Sequence, residues 1–291
     1  MKKRLNSLSI ICAATIALAH AAAAGEKKYD TGATDTEIKI GNIIPYSGPA
    51  SAYGVVGKAM EGYFKKVNDE GGINGRKINF ISYDDAYSPP KAVEQTRKLV
   101  ESDEVLLVFG ALGTPSNSAI HKYMNSKKTP HLFLATGATK WNDPKNFPWT
   151  MGWQPNYQSE AKVFAAHILE TKPNAKIAMF YQNDDAGKDV LRGVKEVLAA
   201  AGKKLISEES HEVSDPTVDS QIVSMHASGA DVLVAWGSPK ATLQSLRKTH
   251  DIGWRPAIYI NPSASSVPAV LTPVGLDKVK GIMSAAFLKD P

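Results

Sequence analysis

The sequence predicts an α/β protein made of two successive lobes, each built on a mainly parallel β-sheet. Strand and helix patterns alternate along the chain, and the strands are buried runs rich in Val, Leu and Ile. The alternation stops at a stretch rich in Pro, Trp and Asn, residues 141–155, and then starts again. Buried strands that alternate with helices are typical of parallel sheets covered by helices. At about 100–200 residues per domain, this length suits two domains with separate cores.

The first residues carry an export signal. Three cations at 2–4 precede an apolar run at 8–18, and Ala22 and Ala24 form the small-residue pair of a signal-peptidase site. Charge, apolar core and cleavage site stand in the order of a secretory signal, and the apolar run is too short for an ordinary membrane anchor. We therefore expect a signal peptide over 1–24.

Charge and cysteine content exclude several classes of protein. The chain has 34 Lys and Arg against 29 Asp and Glu, but three of the cations lie in the signal, so 31 against 29 leaves a net charge of +2. This near-neutral balance removes the main support for nucleic-acid binding. The one cysteine, Cys12, also lies in the signal, and the bulky Ile11 before it argues against a lipoprotein. We expect neither disulfides nor thiol chemistry in the mature chain.

The first lobe is predicted over 25–150. Its first strand begins with an alternating pattern, and a pair of glycines at 71–72 ends its first helix. The predicted strands are 37–44, 77–83, 105–109 and 131–134, and the predicted helices are 53–69, 89–102 and 115–125.

The second lobe is predicted over 151–281, where the pattern repeats. The predicted helices are 160–170, 188–201, 218–227 and 241–249, and the predicted strands are 176–181, 205–210, 232–236 and 257–260. One more strand is predicted at 280–288. A domain seldom ends on a fresh strand, so the sequence suggests a chain truncated at its C-terminus.

Two turns are candidates for binding an anion, because ligands of open α/β sheets bind at the carboxyl ends of strands. In the first, 110–116, Thr114 is placed as an N-cap and Pro115 as the first helical residue. The second turn, 135–139, has the same small residues and threonines. Free N–H groups at a helix start beside hydroxyls favour an anion such as a carboxylate. Ordinary capping explains either turn alone, and this alternative stays open.

Signatures of catalysis and of metal binding are missing from the sequence. There is no G-x-S-x-G, H-E-x-x-H, P-loop or G-x-G-x-x-G motif. The acidic pairs at 84–85 and 184–185 follow strands, where Asp commonly forms turns, so we favour turn residues over general acids or bases. His131 begins an apolar strand and is interpreted as a packed core histidine rather than a ligand. The sequence therefore predicts no catalytic residue, no metal and no cofactor.

Aromatic residues stand at loops and strand ends, where a cleft between lobes would be lined. They are Tyr53, Trp149, Trp153, Tyr157 and Trp236. Core packing is the alternative for each of them.

Several segments, in order, resemble the periplasmic binding proteins of the branched-chain amino acid (Leu/Ile/Val) type. They are Ile-Pro-Tyr-Ser-Gly-Pro-Ala-Ser-Ala-Tyr-Gly at 44–54, Asn-Asp-Glu-Gly-Gly-Ile-Asn-Gly-Arg at 68–76, Tyr-Asp-Asp-Ala at 83–86, the turns at 110–114 and 137–139, and Asn-Asp-Asp-Ala-Gly-Lys-Asp at 183–189. The resemblance covers the mature chain from about residue 36. It implies the type I fold, in which two Rossmann-like lobes are joined by a hinge of three crossovers. Residues 282–291 would then begin a crossover strand back to lobe one, and the chain would be an incomplete member.

The resemblance also implies a ligand site in the cleft between the lobes, with the ligand carboxylate held by the two turns. Adding the aromatic residues and the turn after strand 257–260 gives the complete predicted site: Tyr53, Leu112, Gly113, Thr114, Gly137, Ala138, Thr139, Trp153, Tyr157, Trp236 and Ser263.

Departures from the amino-acid-binding pattern bear on the ligand. Relatives that bind amino acids carry an acidic residue where this chain has Ser263, and a buried ammonium without a counter-charge would be costly. The segments 135–141 and 149–155 resemble members that bind aromatic or other non-amino carboxylates. We therefore expect an aromatic acid rather than a branched-chain amino acid. Relatives with a disulfide in lobe one have cysteines at the positions of Tyr87 and Gly113. This chain has neither cysteine, so the disulfide is absent as a pair.

The sequence thus predicts a monomeric, non-enzymatic, periplasmic receptor that delivers a small organic carboxylate to an ABC permease. One alternative is a sensor of amide- or urea-type ligands on the same fold. A third reading, an exported α/β hydrolase or dehydrogenase, lacks the nucleophile and dinucleotide motifs.

Overall fold

A computed structural model describes residues 28–288 of the chain. The predicted signal peptide at 1–24, with Cys12, lies outside the described residues, as do 289–291. The described strands form two sheets in which every neighbouring pair is parallel, which confirms the predicted α/β class. The strands are β1 (Glu37–Ile44), β2 (Lys77–Asp84), β3 (Leu107–Phe109), β4 (His131–Leu134), β5 (Thr150–Gly152), β6 (Ile177–Gln182), β7 (Ser207–His211), β8 (Val232–Trp236) and β9 (Ala257–Ile260).

Helices connect successive strands of each sheet. They are α1 (Gly54–Asp69), α2 (Pro89–Arg97), α3 (Thr114–Lys127), α4 (Tyr157–Thr171), α5 (Asp185–Ala200), α6 (Asp219–Ala227), α7 (Pro239–Asp251) and the single turn α8 (Thr272–Val274). None of the helices within 28–288 is long and apolar enough to cross a membrane.

The first sheet has the order β2-β1-β3-β4-β5. One face is covered by α2 and α3, where Ile43 and Val108 pack with Ile120 and Met124 in a buried core. On the other face Phe64 of α1 packs against the sheet. Because β5 pairs with β4, the first sheet extends to Gly152. The lobe limits of 25–150 and 151–281 remain a proposal.

The second sheet has the order β7-β6-β8-β9 and is covered on both faces. Phe164 of α4 and Val190 of α5 belong to the core on one face. Ile222 of α6 and Leu246 of α7 belong to the core on the other. Full burial of one such side chain contributes about 1.5–3 kcal/mol, so these two cores hold lobe two together.

Polar caps set where the helices of lobe two begin. The side chain of Asn156 accepts a hydrogen bond from the N–H of Ser159, and the side chain of Asp184 accepts one from that of Gly187. The sequence predicted a start at residue 188 for α5, which was too late because Asp184 was not recognised as its N-cap. Such caps satisfy N–H groups that have no partner inside the helix.

The predicted strand at 280–288 is wrong except at one residue. Met283 alone forms a parallel bridge with Tyr259 at the edge of the second sheet. Its N–H donates to Ile258 and its carbonyl accepts from Ile260. After these two hydrogen bonds the chain leaves the sheet edge, so no ladder continues. The ring of Phe287 then lies 6.3 Å from that of Trp153, so the two segments that leave the lobes run side by side.

Candidate functional site

The strand orders place a cleft between the lobes. In the first sheet the order reverses between β1 and β3, and in the second between β6 and β8. Ligands of open α/β sheets bind outside the carboxyl ends of strands at such switch points. The turns that follow these four strands face one another across the cleft. The side chain of Tyr53 in lobe one interacts with Ser263 of lobe two, and Tyr87 interacts likewise with Gln182.

A pair of threonine hydroxyls forms the lobe-one side of the cleft. The Oγ1 atoms of Thr114 and Thr136 lie 2.5 Å apart. Trp141 Nε1 donates to Thr136 Oγ1 at 3.4 Å. Among residues 28–288 the N–H groups of Thr114 and Ser116, at the start of α3, donate no hydrogen bond. Hydroxyls and free helix N–H groups together form a site suited to an anion.

The other two predicted residues of this turn have structural roles. The N–H of Leu112 donates to Ile43, and that of Gly113 donates to Ala135, so both are used within lobe one. Gly113 has φ of 93°, and a Cβ there would lie 2.3 Å from Cε2 of Tyr87. Only glycine fits this backbone conformation beside the tyrosine ring. The structure thus brings together the two positions where relatives carry a disulfide.

Groups from lobe two already occupy the second predicted turn. Both the N–H and Oγ1 of Thr139 donate to Asp189 Oδ2, at 2.7 and 2.6 Å. The Tyr157 hydroxyl interacts with the N–H of Gly137 and with the side chain of Thr136. Ala138, the remaining predicted residue of this turn, has an N–H without a hydrogen bond among the described residues. The closed lobes therefore cover half of the predicted anion site with a protein carboxylate and a tyrosine hydroxyl.

Aromatic rings form the walls of the cleft. Tyr157 and Trp236 meet edge to face, with ring centroids 4.8 Å apart. Burial raises the pKa of Tyr53 and Tyr87 well above the ordinary value, and that of Tyr157 to about 12. These tyrosines therefore stay neutral and provide apolar ring surface with a hydroxyl group. Trp153 lies instead at the hinge beside Phe287 and is half exposed.

Two acidic side chains reach the cleft from lobe two. Glu160, in the first turn of α4, accepts a hydrogen bond from Trp236 Nε1 at 3.0 Å, and burial raises the pKa of Glu160 to about 7. Burial also raises the pKa of Asp184, although hydrogen bonds from Gly187 and Gln182 act to lower it. Both carboxylates act electrostatically on Tyr53 and Tyr157.

The acidic pair in lobe one has a turn-forming role. Asp84 accepts hydrogen bonds from the N–H groups of Tyr46 and Ala86 and pairs with Lys91 at 3.3 Å. Partial burial acts to raise its pKa, but these bonds and one from Ser47 lower the pKa of Asp84 to about 2. Asp85 is buried beneath the turn and accepts from the N–H of Tyr87. Neither residue is arranged for acid–base chemistry.

The described residues include cavities outside the cleft but no metal-ligand cluster. No group of three or more His, Cys, Asp or Glu side chains within 28–288 could hold a metal ion. Two cavities, of about 230 and 480 Å³, lie elsewhere, the first beside Trp254 and the second beside Phe109. The side chains of Tyr53, Tyr87 and Tyr157 lie in the cleft and contact groups of the opposite lobe.

Sequence reasoning missed four residues that shape the cleft, namely Tyr87, Thr136, Glu160 and Asp189. Thr136 was available as a second threonine in the same turn. Tyr87 follows a strand of the first sheet, which is the signal that was used for the other turns. Glu160 is an ordinary polar helix residue in the sequence, and no sequence signal distinguishes it from a solvent-exposed one. Asp189 ends the segment 183–189 that resembles the family, but nothing in that segment indicates a contact with Thr139.

Comparison with known proteins identifies a family. The sequence pattern of the family described as periplasmic binding protein matches residues 37–290. A Leu/Ile/Val-binding protein homolog 7 from Brucella abortus (strain 2308) is 23% identical over 267 residues, with 86% of this chain and 65% of that protein covered. The chain therefore spans about 65% of the length of this curated relative.

Solved structures share the fold. A fatty acid ABC transporter substrate-binding protein from Thermomonospora curvata superposes with a TM-score of 0.78 at 22% identity, covering 88% of this chain and 65% of that chain. A solute-binding protein of an ABC transporter from Rhodopseudomonas palustris BisB5, solved in complex with 3,4-dihydroxybenzoic acid, gives a TM-score of 0.70 at 18% identity, covering 78% and 62%. At these identities the likeness concerns the fold.

Proposed function

Since the chain belongs to the periplasmic binding protein family, a family of solute-binding proteins rather than enzymes, we propose that it is the receptor of an ABC importer. It binds a small organic carboxylate between its lobes and presents the closed form to a membrane permease. Family membership implies an extracytoplasmic location, and the signal peptide predicted over 1–24 makes the periplasm the proposed compartment. The receptor acts as a monomer.

The proposal rests mainly on the pairing of Thr114, the first residue of α3, with Thr136, which follows β4. Their hydroxyls, 2.5 Å apart, stand beside the N–H groups of Thr114 and Ser116, which donate no hydrogen bond within the described chain. The bond between the two hydroxyls uses one of their hydrogens, so one hydroxyl and two N–H groups remain as donors. These three donors suit the oxygens of a carboxylate, and the helix dipole adds to the attraction.

The cleft walls favour an aromatic acid. Tyr53, Tyr87 and Tyr157 provide ring faces, and Trp236, in the core of lobe two, packs edge to face against Tyr157. Aromatic pairs gain about 0.5–1.5 kcal/mol beyond the burial of their area. Ser263 stands where amino-acid binders place an acidic residue, so a ligand ammonium lacks its usual partner. The solute-binding protein from Rhodopseudomonas palustris BisB5, of the same fold, was solved with 3,4-dihydroxybenzoic acid. That ligand supports the proposal of an aromatic acid.

Closure is part of the mechanism. The contacts of Tyr53 with Ser263 and of Tyr87 with Gln182 exist only when the lobes meet. A ligand that touches both lobes binds the closed form better than the open form and therefore shifts the population towards closure.

A thermal-shift screen tests the proposal, with aromatic acids, aliphatic acids and branched-chain amino acids compared on the same protein. A ligand at 100 times its dissociation constant adds about 2.7 kcal/mol to stability, which raises the unfolding midpoint measurably. We expect the largest shifts with aromatic acids, and we expect each bound acid to be recovered chemically unchanged. Shifts with leucine or valine alone would contradict the aromatic assignment, and consumption of the acid would contradict a binding role.

A further inference from the structure

Glu160 differs from the other acidic side chains that lobe two brings to the cleft, because it neither caps a helix nor joins the lobes. Asp184 caps α5 by accepting from the N–H of Gly187 at 3.0 Å and also accepts from Gln182 Nε2 at 2.6 Å, and Asp189 accepts from Thr139 of lobe one. The carboxylate of Glu160 accepts from Trp236 Nε1 at 3.0 Å, and no cation pairs with it among residues 28–288. One carboxylate oxygen is therefore left for a donor that the protein does not supply.

The position of Glu160 relative to Thr114 and Thr136 indicates which polar groups a ligand would carry at its two ends. Tyr157 is three residues before Glu160, so the two side chains leave α4 on the same side. The hydroxyl of Tyr157 reaches Thr136, and its ring meets Trp236, whose Nε1 donates to Glu160. The threonines and Glu160 thus lie at opposite ends of the Tyr157 side chain. A molecule that spans this distance has a carboxylate at one end and a second polar group at the other.

We propose that Glu160 is a specificity-determining residue that accepts a hydrogen bond from a hydroxyl group on the ligand end remote from the carboxylate. The proposal rests on the proposed function, because it takes the carboxylate to lie at Thr114 and Thr136. The ligand class is therefore a hydroxy-substituted aromatic acid.

A hydroxyl suits this site better than an ammonium group. The carboxyl group of Glu160 is partly buried with Trp236 as its only hydrogen-bond donor in the described chain, and burial raises its pKa to about 7. An ammonium group pairs only with the ionised carboxylate, so its binding would depend on the protonation state of Glu160. A hydroxyl, in contrast, donates to the carboxylate and accepts from the protonated acid, so it fits both forms.

The test is a calorimetric comparison of benzoate with 4-hydroxybenzoate on the wild type and on the Glu160→Leu, Glu160→Gln and Glu170→Leu variants. Glu170 lies exposed at the far end of α4 and is the matched control. A site built to hydrogen-bond a ligand hydroxyl rejects the analogue that lacks it. We expect the wild type and Glu170→Leu to prefer 4-hydroxybenzoate by about tenfold or more. This preference should fall to within about twofold in Glu160→Leu and be kept in part by Glu160→Gln, whose side-chain carbonyl still accepts.

The results separate this inference from the proposed function. If both acids bind with equal affinity to the wild type, or if the preference survives in Glu160→Leu and Glu160→Gln alike, the role of Glu160 is wrong while the binding of aromatic acids stands. If neither acid binds the wild type and leucine does, both proposals are wrong. Thermal unfolding of each variant shows whether a lost preference reflects loss of the folded state.

Discussion

Asp189 of lobe two accepts two hydrogen bonds from Thr139 of lobe one, from the backbone N–H at 2.7 Å and from Oγ1 at 2.6 Å. The Asp189 side chain is buried, and Arg192 pairs with its other oxygen at 3.1 Å. Next to it, Lys140 of lobe one pairs with Asp185 of lobe two at 2.8 Å. These contacts hold the lobes together at one side of the cleft, where the resemblance implies a ligand carboxylate.

Asp189→Ala is expected to favour the open form of the protein without ligand. Hydrogen bonds to a charged group contribute about 1.5–3 kcal/mol, so the ratio of open to closed molecules should rise by about tenfold to a hundredfold. Small-angle X-ray scattering measures this as a larger radius of gyration. Glu196→Ala is the control, because it breaks the Lys162–Glu196 ion pair of 2.8 Å within lobe two. An unchanged radius for Asp189→Ala would show that the contact does not hold the lobes closed.

Thr114→Val and Thr136→Val are each expected to weaken the binding of an aromatic carboxylate by about tenfold to a hundredfold, while the side-chain shape is kept. One substitution removes the hydroxyl that donates to the ligand, and the other removes the hydroxyl that orients it. Isothermal titration calorimetry measures the change. Thr249→Val is the matched control, since Thr249 Oγ1 donates to Ser245 within lobe two, remote from the cleft. Equal affinities for the wild type and both cleft variants would place the carboxylate elsewhere.

Gly113→Ala is expected to destabilise the protein by at least about 1–2 kcal/mol, because the residue has φ of 93° and its new Cβ meets the ring of Tyr87. Gly62→Ala is the control. A Cβ there meets nothing within 4 Å, and Gly62 lies inside α1, so this change should stabilise the protein by about 0.5–1 kcal/mol. Chemical unfolding of both variants measures these energies, and equal effects of the two substitutions would contradict the packing of Tyr87 on Gly113.

Although the short strand β5 was not predicted and the strand predicted at 280–288 is wrong, the sequence was sufficient for the fold class because most strands and helices have a local pattern. Strand 232–236, for example, is a continuous apolar run, and the structure gives the same bounds. It was sufficient to place Thr114 at the start of a helix, because its position between a glycine turn and Pro115 is a local signal. The pairing of Thr114 with Thr136 follows from the neighbouring positions of β3 and β4 in the first sheet. The pairing of Thr139 with Asp189 depends on how the two lobes close, and no spacing in the sequence encodes that. Tyr87 and Glu160 reach the cleft for the same reason, through tertiary packing.

Buried histidines predict a loss of stability in acid. Burial lowers the pKa of His131 to about 3 and that of its neighbour His121 to about 4, and neither ring nitrogen of His131 has a hydrogen-bond partner in residues 28–288. Below the unfolded pKa of about 6.5 the unfolded chain takes up protons that the folded chain refuses. Stability is therefore full above pH 6.5 and falls as the pH drops towards 4.

His131→Leu should remove the contribution of His131, while those of His121 and of His211, whose pKa burial also lowers, remain. Between pH 6.5 and 5 the wild type is expected to lose about 2 kcal/mol more than the variant, at about 1.4 kcal/mol per pH unit for one group. Glu160 acts in the opposite direction over this range because its pKa is raised to about 7, but it is common to both proteins and cancels in the difference. Parallel stability curves for the two proteins, measured by urea unfolding, would contradict the neutral, buried state of His131.

The most direct test of the account is the affinity of benzoate compared with that of benzamide, measured by isothermal titration calorimetry at one pH. The two molecules have the same ring and nearly the same shape, but only benzoate brings the negative charge for which Thr114, Thr136 and the start of α3 are arranged. We predict that benzoate binds at least about tenfold more tightly, and that this advantage is lost in Thr114→Val. Equal or tighter binding of benzamide would contradict a carboxylate receptor and favour a receptor for amide-type ligands.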